Sequence, residues 1–263
     1  FFLFHMKKSL TLLFFILGLN FPLAQAQNSF KTGEWLKFRI SYSGWVKAGY
    51  STLHVKDALY KNDSVYHVIG KGKTTGPIKW FYKVNDRFES YFDKESFKPF
   101  KFVRKTYEGG HTKNRIVEFD YNNNIALTND LKAKRIIKTP IGSDIQDMIS
   151  AYYFVRNNYK SEEIKIGDVI ELNMFFDNEI FKFKLKFLGH SKLKTKFGYV
   201  KCLKFRPYVM AGRVFKEEES VTLWVSADKN KIPLKIKADL RVGSIVADLE
   251  AFKGLSHPFK IQL

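Results

Sequence analysis

The stretch from Phe181 to Phe187 reads Phe-Lys-Phe-Lys-Leu-Lys-Phe and alternates apolar with basic residues without a break. Successive side chains of a β-strand point to opposite faces, so this pattern predicts a strand with one buried and one solvated face. The same alternation occurs in residues 36–42 and 221–225. Because such strands are typical of antiparallel sheets that pack on one side only, the sequence predicts mainly antiparallel β-structure.

Short turn signals separate the alternating runs. Asp177-Asn178 joins two of them, and both residue types tolerate a positive φ, so we predict a two-residue hairpin turn there. Similar signals occur at Asn62-Asp63, Glu108-Gly-Gly110, Asn122–Asn124 and Asp228–Lys231. Roughly a dozen strands with short connections predict an all-β fold, a barrel or a half-barrel-like sheet.

One segment near the middle of the chain has helical periodicity instead. From about Ser143 to Asn158 the apolar residues recur three or four positions apart, as on one face of a helix. Ser143 and Gln146 match a capping box, in which a serine hydroxyl and a glutamine side chain satisfy the first amides of a helix. We therefore predict one central helix over about 143–158, and a shorter helical turn around Ile78 to Lys83.

The N-terminus has the parts of a secretory signal. Lys7 and Lys8 precede an apolar run, and Ala24-Gln25-Ala26 supplies a small-x-small cleavage pattern. These are the basic, apolar and cleavage regions of an export signal. We expect residues 1–26 to be a signal peptide, and we interpret residues 1–5, which precede Met6, as a start-site artefact or an unusual extension.

The single cysteine bears on location and on stability. Cys202 lies far from the cleavage pattern, so we expect no lipid-modified cysteine. The apolar run breaks at Asn20 and Pro22 and is too short to span a bilayer, so we expect no transmembrane anchor after cleavage; a retained anchor is the alternative. The prediction is a soluble periplasmic or secreted protein. It must fold without an intramolecular disulfide, and Cys202 is interpreted as a small buried apolar side chain.

Residues 27–263 are expected to form a single β-rich domain, although two β halves joined by the helix remain an alternative. The second arrangement is suggested by a short echo: a basic residue, glycine and an acidic residue lead into a strand at Lys31–Glu34 and again at Lys165–Asp168. Use of the same turn chemistry at two places would also explain it.

Composition and charge indicate a globular protein that favours anionic partners. Aromatic residues make up 16% of the chain, and the net charge is +19. Phosphates of lipids or lipopolysaccharide would suit this charge. The lysines are spread singly along the strands, however, as on any solvated sheet face. No nucleic-acid-binding motif accompanies the charge, so we expect no nucleic acid partner.

The sequence contains no recognisable catalytic or metal-binding constellation. Ser143 and Ser150 lack a G-x-S-x-G elbow, so we predict no catalytic residues and a non-enzymatic protein. If residues 50–57 and 65–71 form a hairpin, His54 and His67 fall almost opposite each other. A zinc site needs further ligands at matching positions, so no metal site and no cofactor are predicted.

Two sets of residues are candidates for ligand binding. Trp80, Phe81 and Tyr82 follow a Gly-Pro break and could line an apolar cavity of a barrel, or else fill its core. Gln146, Asp147 and Arg156 lie on the predicted helix and could form a polar site for an anionic headgroup. Capping and docking of the helix is the alternative.

Several stretches together resemble a known family. They are Gln146–Arg156 on the helix, Gly33–Phe38 with Gly49 downstream, Leu223–Asp228 followed by Ile232-Pro233, and Val242–Ile245. In order and spacing they are similar to the DUF3108 family, exported proteins of Gram-negative bacteria, over about residues 30–249. The resemblance implies a periplasmic β-rich domain and supplies no catalytic residues, because the family has no assigned activity.

The leading functional prediction is binding of an apolar or amphipathic envelope molecule, such as a lipid or lipopolysaccharide. The first alternative is a structural or assembly factor that binds another envelope protein through a sheet edge or an aromatic patch. The second is a hydrolase acting on envelope polymers.

Overall fold

A computed structural model describes residues 28–161, 163–208 and 220–262, so the predicted signal peptide lies outside the described part. These described residues form fourteen strands of one sheet in which every neighbouring pair is antiparallel, which confirms the predicted fold class. The strands are β1 Trp35–Tyr42, β2 Val46–Tyr60, β3 Asp63–Thr74, β4 Asn85–Asp93, β5 Pro99–Glu108, β6 His111–Asp120, β7 Ile125–Asp130, β8 Arg135–Pro140, β9 Val169–Phe176, β10 Glu179–Thr195, β11 Gly198–Pro207, β12 Val221–Ser226, β13 Pro233–Asp239 and β14 Ser244–Lys253.

The sheet is curled but not closed by hydrogen bonds. Its strand order is β8-β7-β6-β5-β4-β3-β2-β1-β14-β13-β12-β11-β10-β9, so β8 and β9 are its two edges. Side chains nevertheless meet across the gap: the rings of Phe119 in β6 and Phe175 in β9 lie 5.6 Å apart. The architecture is therefore a half-barrel whose far ends are joined by packing.

The interior of the half-barrel holds the longer helix. Helix α2, Met148–Asn158, lies in the connection between the edge strands β8 and β9. Its Tyr153 is fully buried in a cluster with residues of β2 to β7 and β9. Among the described residues no helix is long and apolar enough to cross a membrane.

The helix begins later than the sequence pattern predicted, and the Ser143–Gln146 capping box is wrong. The Gln146 amide donates to Asn173 O at 2.9 Å, and its carbonyl accepts from Phe175 N at 2.8 Å. This pairing with β9 holds Gln146 extended, so the helix cannot start before it. Asp147 is the N-cap instead, in a capping box with Ser150.

Local turn chemistry was predicted more accurately. Asp177 and Asn178 have φ values of 52° and 71°. Both values are positive, as the predicted two-residue turn requires, which confirms the hairpin between β9 and β10.

Helix α1, Ile78–Phe81, confirms the short helical turn between β3 and β4. Cys202 is buried, as predicted for a small apolar side chain.

The two echoing segments form turns with the same hydrogen bonds. Gly33 N donates to Val55 O and Gly167 N to Phe187 O, both at 2.9 Å. Both glycines have positive φ, 90° and 100°. Each turn therefore connects to the neighbouring strand through the same hydrogen bond. The division into one domain or two halves stays a prediction.

Candidate functional site: a groove beside the central helix

The polar residues predicted on the helix lie in the protein interior. Asp147 is fully buried, and its Oδ1 accepts from Ile149 N at 2.8 Å and from Ser150 N at 2.9 Å. Ser90 Oγ on β4 donates to Asp147 Oδ2 at 2.5 Å. Burial raises the pKa of Asp147 to about 6 although these bonds oppose the shift. Asp147 thus caps the helix and ties it to the sheet.

Arg156 occupies the other end of the same helix and is equally buried. Its guanidinium forms a two-pronged ion pair with Glu34, with both N–O distances 2.6 Å. Arg156 Nε donates to Asn230 O at 2.6 Å, and Nη2 to Ser29 O at 3.0 Å. The guanidinium therefore attaches the helix to the surrounding protein and does not form an exposed site for a headgroup.

Gln146 is also buried, and its Oε1 has no hydrogen-bond partner among the described residues. Asp147 and Arg156 are nine positions apart in the chain. That separation is about 13 Å along a helix, so the three candidates do not converge on one point. The contacts of Asp147 and Arg156 favour the capping and docking alternative, while ligand binding by these residues stays a prediction.

The aromatic candidates lie on the outside. Trp80, Phe81 and Tyr82 are exposed in and after α1, so they neither line a barrel cavity nor fill the core, while ligand binding by them stays a prediction. A four-residue helix between two strands turns these side chains away from the sheet interior. Other aromatic residues fill the core, including Phe97, Phe102 and Phe175.

His54 and His67 are not directly opposite each other but two residues out of register. The hairpin turns at Lys61-Asn62, so His54 faces Ile69 and His67 faces Lys56. His67 Nε2 lies 2.6 Å from Glu89 Oε2 instead. Within the described ranges, no group of three His, Cys, Asp or Glu side chains could hold a metal ion.

The groove is an open space of about 540 Å³ between the C-terminal half of α2, the loop that follows it and the start of β9. A ligand pocket needs roughly 300 Å³ or more. The lining of the groove is apolar with a few polar groups: Phe154, Val155, Asn158, Tyr159, Lys160, Glu163, Ile164, Asp168, Val169 and Ile170.

The floor of the groove is continuous with a hydrophobic cluster of the sheet. Val155, Tyr159 and Ile164 pack against buried residues of β10 to β12. The Tyr159 ring meets Phe205 edge to face at 5.6 Å. Apolar side chains at the base of the groove are therefore held in place by the core beneath them.

A tight turn forms one wall. Asp168 N donates to Lys165 O at 3.0 Å, and Asp168 Oδ2 accepts from Lys165 N at 2.9 Å. Phe187 N donates to Asp168 O at 2.8 Å, which fixes the turn to β10. This wall has a fixed backbone, as a preformed pocket requires.

The charges at the mouth are paired with each other or with backbone. Lys160 Nζ lies 2.9 Å from Glu163 Oε1 in an exposed ion pair. Exposed pairs of this kind contribute little free energy, so a polar ligand group can replace one partner. The groove thus combines an apolar floor with a polar mouth, which suits an amphipathic molecule.

Sequence reasoning missed this groove. Its only local signal is Ile164, with neighbouring Ile166, in an otherwise polar segment after the helix. A second cavity, between β5–β7 and the β9–β10 turn, has a volume of only about 10 Å³. That is the space of one water molecule and too little for an organic ligand.

Comparisons with known proteins identify a family and a fold. The model of the family described as "Protein of unknown function (DUF3108)" matches residues 37–250. No curated protein matches the chain. A β-barrel-like protein of the DUF1849 family from Brucella abortus has a similar structure, with a TM-score of 0.53 at 8% identity, over 85% of this chain and 98% of that one.

Two further solved structures align over similar lengths with lower scores. A protein from Bacteroides fragilis, described as exported and with a YmcC-like fold, has a TM-score of 0.34 at 9% identity, over 85% of this chain and 97% of that one. A protein from Parabacteroides distasonis, described as a lipoprotein, has a TM-score of 0.33 at 11% identity, over 86% of this chain and 99% of that one. The fold is therefore shared with the Brucella protein, whose function is also unassigned.

Proposed function

The chain belongs to the DUF3108 family of proteins of unknown function, and from this membership and the groove we propose that it is a non-enzymatic binding protein of the cell envelope. The protein binds an amphipathic molecule, and the apolar part of that molecule lies between α2 and β9. The N-terminal segment has basic residues, an apolar run and Ala24-Gln25-Ala26. This pattern supports export to the periplasm or beyond.

The observation that carries the proposal is the groove's volume together with its lining. Its space is about 540 Å³. Pockets of this size hold organic ligands of drug size. Ile164, Val169 and Ile170 supply the apolar surface that an acyl chain needs. Burying each methylene of such a chain contributes about 0.8 kcal/mol.

The polar mouth determines which end of the ligand faces solvent. Lys160, Glu163 and Asn158 surround the opening and can exchange their mutual contacts for contacts with a headgroup. Of the two carboxylates among the described lining residues, Glu163 pairs with Lys160 and Asp168 accepts from the backbone of its own turn. The arrangement supports binding rather than turnover.

Native mass spectrometry of protein purified gently from the periplasm, followed by lipid extraction, is the direct test. We expect a co-purified amphiphile, and saturable binding of a dansyl-labelled fatty acid after delipidation. Recovery of unliganded protein across several gentle preparations, together with no saturable probe binding, would reject the proposal.

A matched pair of variants locates the site. Val169 in the groove and Ile180 on β10 are similarly exposed, at 43% and 42%, so both positions tolerate a large side chain. Val169→Trp should fill the groove and weaken probe binding about tenfold or more. Ile180→Trp should bind like the parent protein, and equal affinity of all three proteins would place the probe elsewhere.

A further inference from the structure

Four of the six described large apolar side chains that are at least 75% exposed lie at one end of the sheet. Trp80 and Phe81 in α1 are 84% and 85% exposed, and Trp45 and Val242 on two turns are 79% and 77% exposed. Tyr82 is exposed beside them. We call these five residues the aromatic rim. Single exposed apolar residues are ordinary, whereas several on adjoining connections mark an interaction surface.

The rim residues belong to three adjoining connections. The strands β4-β3-β2-β1-β14-β13 are consecutive neighbours, and the connections β3–β4, β1–β2 and β13–β14 leave the sheet at the same end. Thr75 N donates to Ala48 O at 2.9 Å, and Tyr42 Oη donates to Val242 O at 3.0 Å. These bonds tie each connection to the next strand pair, so the rim is a fixed surface.

The same connections carry positive charge. Lys47, Lys79, Lys83 and Arg241 are all exposed, and residues 42–47, 74–84 and 240–244 contain no acidic residue. Three carboxylates flank these connections: Asp86 accepts from Tyr107 N at 3.0 Å, Asp239 lies 2.9 Å from Lys237 Nζ, and Glu108 pairs with Val84 in a β-bridge. The four cations of the connections outnumber them. The rim is therefore apolar and cationic together.

We propose that the aromatic rim docks the protein on the surface of a bilayer that contains anionic lipids. Trp and Tyr favour the boundary between headgroups and acyl chains, because each has an apolar body and a polar atom. Each Lys or Arg near an anionic bilayer strengthens attachment, by roughly fivefold. Charge complementarity thus selects an anionic membrane over an uncharged one.

This docking surface is separate from the groove, and it does not rest on the proposed binding of an amphiphile. No residue that lines the groove belongs to the rim or to its three connections. A groove on a protein attached to a bilayer would meet lipids at high local concentration, but membrane attachment by the rim stands without it.

Vesicle flotation with the purified protein tests the proposal. We expect binding to vesicles of phosphatidylethanolamine and phosphatidylglycerol, weak binding to phosphatidylcholine alone, and a loss of binding as salt increases. The double variant W80A/F81A should lose most of the binding. K79E/K83E should weaken it by at least about 25-fold, because two attractions of roughly fivefold each are lost and two repulsions are added. Val169→Trp should bind vesicles normally.

Control substitutions use the opposite end of the sheet. Leu59 is similarly exposed, so Leu59→Ala matches the loss of an apolar side chain, and K192E/K194E on β10 matches the charge reversal. Both controls should bind like the parent protein. Equal binding by rim variants and controls, equal affinity for neutral vesicles, or no vesicle binding would each overturn the proposal.

A second copy of the chain is the competing occupant of this surface. Sedimentation velocity separates the two, because self-association would grow with protein concentration in the absence of lipid. Membrane docking would be overturned if the parent protein forms dimers but does not bind vesicles, and if W80A/F81A abolishes the dimers. The rim would then be a dimer interface.

Discussion

The guanidinium of Arg156 lies 2.6 Å from both carboxylate oxygens of Glu34, 122 residues earlier in the chain. Both side chains are almost completely buried. The pair joins the last turn of α2 to the residue before β1, and Asn230 O adds a contact from the β12–β13 loop. The pair therefore connects α2, which forms one wall of the groove, to the start of the sheet.

Replacing one partner of this pair should destabilise the protein strongly. Arg156→Met leaves the Glu34 carboxylate buried without its counter-ion. Glu34→Met likewise leaves the Arg156 guanidinium buried without its counter-ion. Breaking a buried pair in this way typically costs about 3–5 kcal/mol in the free energy of unfolding. Urea unfolding followed by circular dichroism measures both variants.

The double variant R156M/E34M is the control for charge burial. The double variant buries no unpaired charge. Its decrease in the free energy of unfolding should therefore be clearly smaller than the sum of the decreases for the two single variants. Some loss should remain, because Arg156 also bonds the carbonyls of Ser29 and Asn230. Strict additivity would show that the two side chains are not energetically coupled.

The sequence predicted those parts of the fold that local chemistry determines. Alternation in residues 181–187 identified β10, and the positive φ tolerated by Asp177-Asn178 identified the hairpin turn. The helical spacing of Ile149, Tyr152 and Val155 identified α2. Each signal lies within a few residues of the structure that it predicts.

The features that depend on curling of the sheet could not be predicted. The start of α2 was misplaced because Gln146 pairs with β9, which begins more than twenty residues later. The pairing of Arg156 with Glu34 has no local sequence signal, because the two residues are 122 positions apart. The groove combines α2 with β9 over a cluster of β10 to β12, so its lining becomes visible only in three dimensions.

Stability should fall as pH rises through the range in which Asp147 titrates. The native carboxyl keeps its proton up to a pKa of about 6. The unfolded chain releases this proton at a pKa of ~3.9. Between these values the native state binds more protons, so the contribution is complete at the lower pH and is lost toward the higher one.

Asp147→Asn removes this titration while keeping an oxygen that caps the helix. The stability of the variant relative to the parent should therefore increase by about 2–3 kcal/mol between about pH 4 and about pH 7. Bonds from Lys94 and Thr32 lower the pKa of exposed Asp57, so the stability of the control Asp57→Asn relative to the parent should stay nearly constant over this range and should change only below about pH 4, in the opposite direction. A flat difference for Asp147→Asn would contradict the raised pKa.

Gly49 should resist substitution because another backbone approaches it closely. A Cβ at this position would lie 2.2 Å from Lys73 O and 3.0 Å from Thr74 Cα, neither of which can move independently of the sheet. Gly49→Ala should therefore lower the free energy of unfolding by about 1–3 kcal/mol.

Gly72 provides the matched control for this substitution on the adjacent strand. A Cβ there would meet nothing within 4 Å. Gly72→Ala should therefore change stability by no more than about 0.5 kcal/mol. Equal losses for the two variants, measured by urea unfolding, would show that strand flexibility rather than the contact with Lys73 is responsible.

Asp177 joins the two ends of the curled sheet through an ion-pair cluster. Its Oδ1 lies 2.6 Å from Arg104 Nη1 on β5 and 3.0 Å from Arg115 Nη1 on β6, and Lys113 pairs with its other oxygen. Burial alone would raise the pKa of Asp177, but Lys113 and Arg104 outweigh burial and the pKa is lowered. Its contribution to stability is therefore present at neutral pH and is lost as pH falls through the lowered pKa.

Asp177→Asn tests whether this cluster holds the half-barrel together. Asparagine tolerates the same positive φ, so the β9–β10 turn is preserved while the charge is removed. The largely buried Arg104 then loses its nearest counter-ion, and we expect a loss of about 1–3 kcal/mol at neutral pH that shrinks in acid. Asp63→Asn, beside the β2–β3 turn, is the control and should change stability by no more than about 0.5 kcal/mol. If Asp177→Asn unfolds at the same urea concentration as the parent, the ends of the sheet are held by apolar contacts such as Phe119 with Phe175, and the ion pairs contribute little.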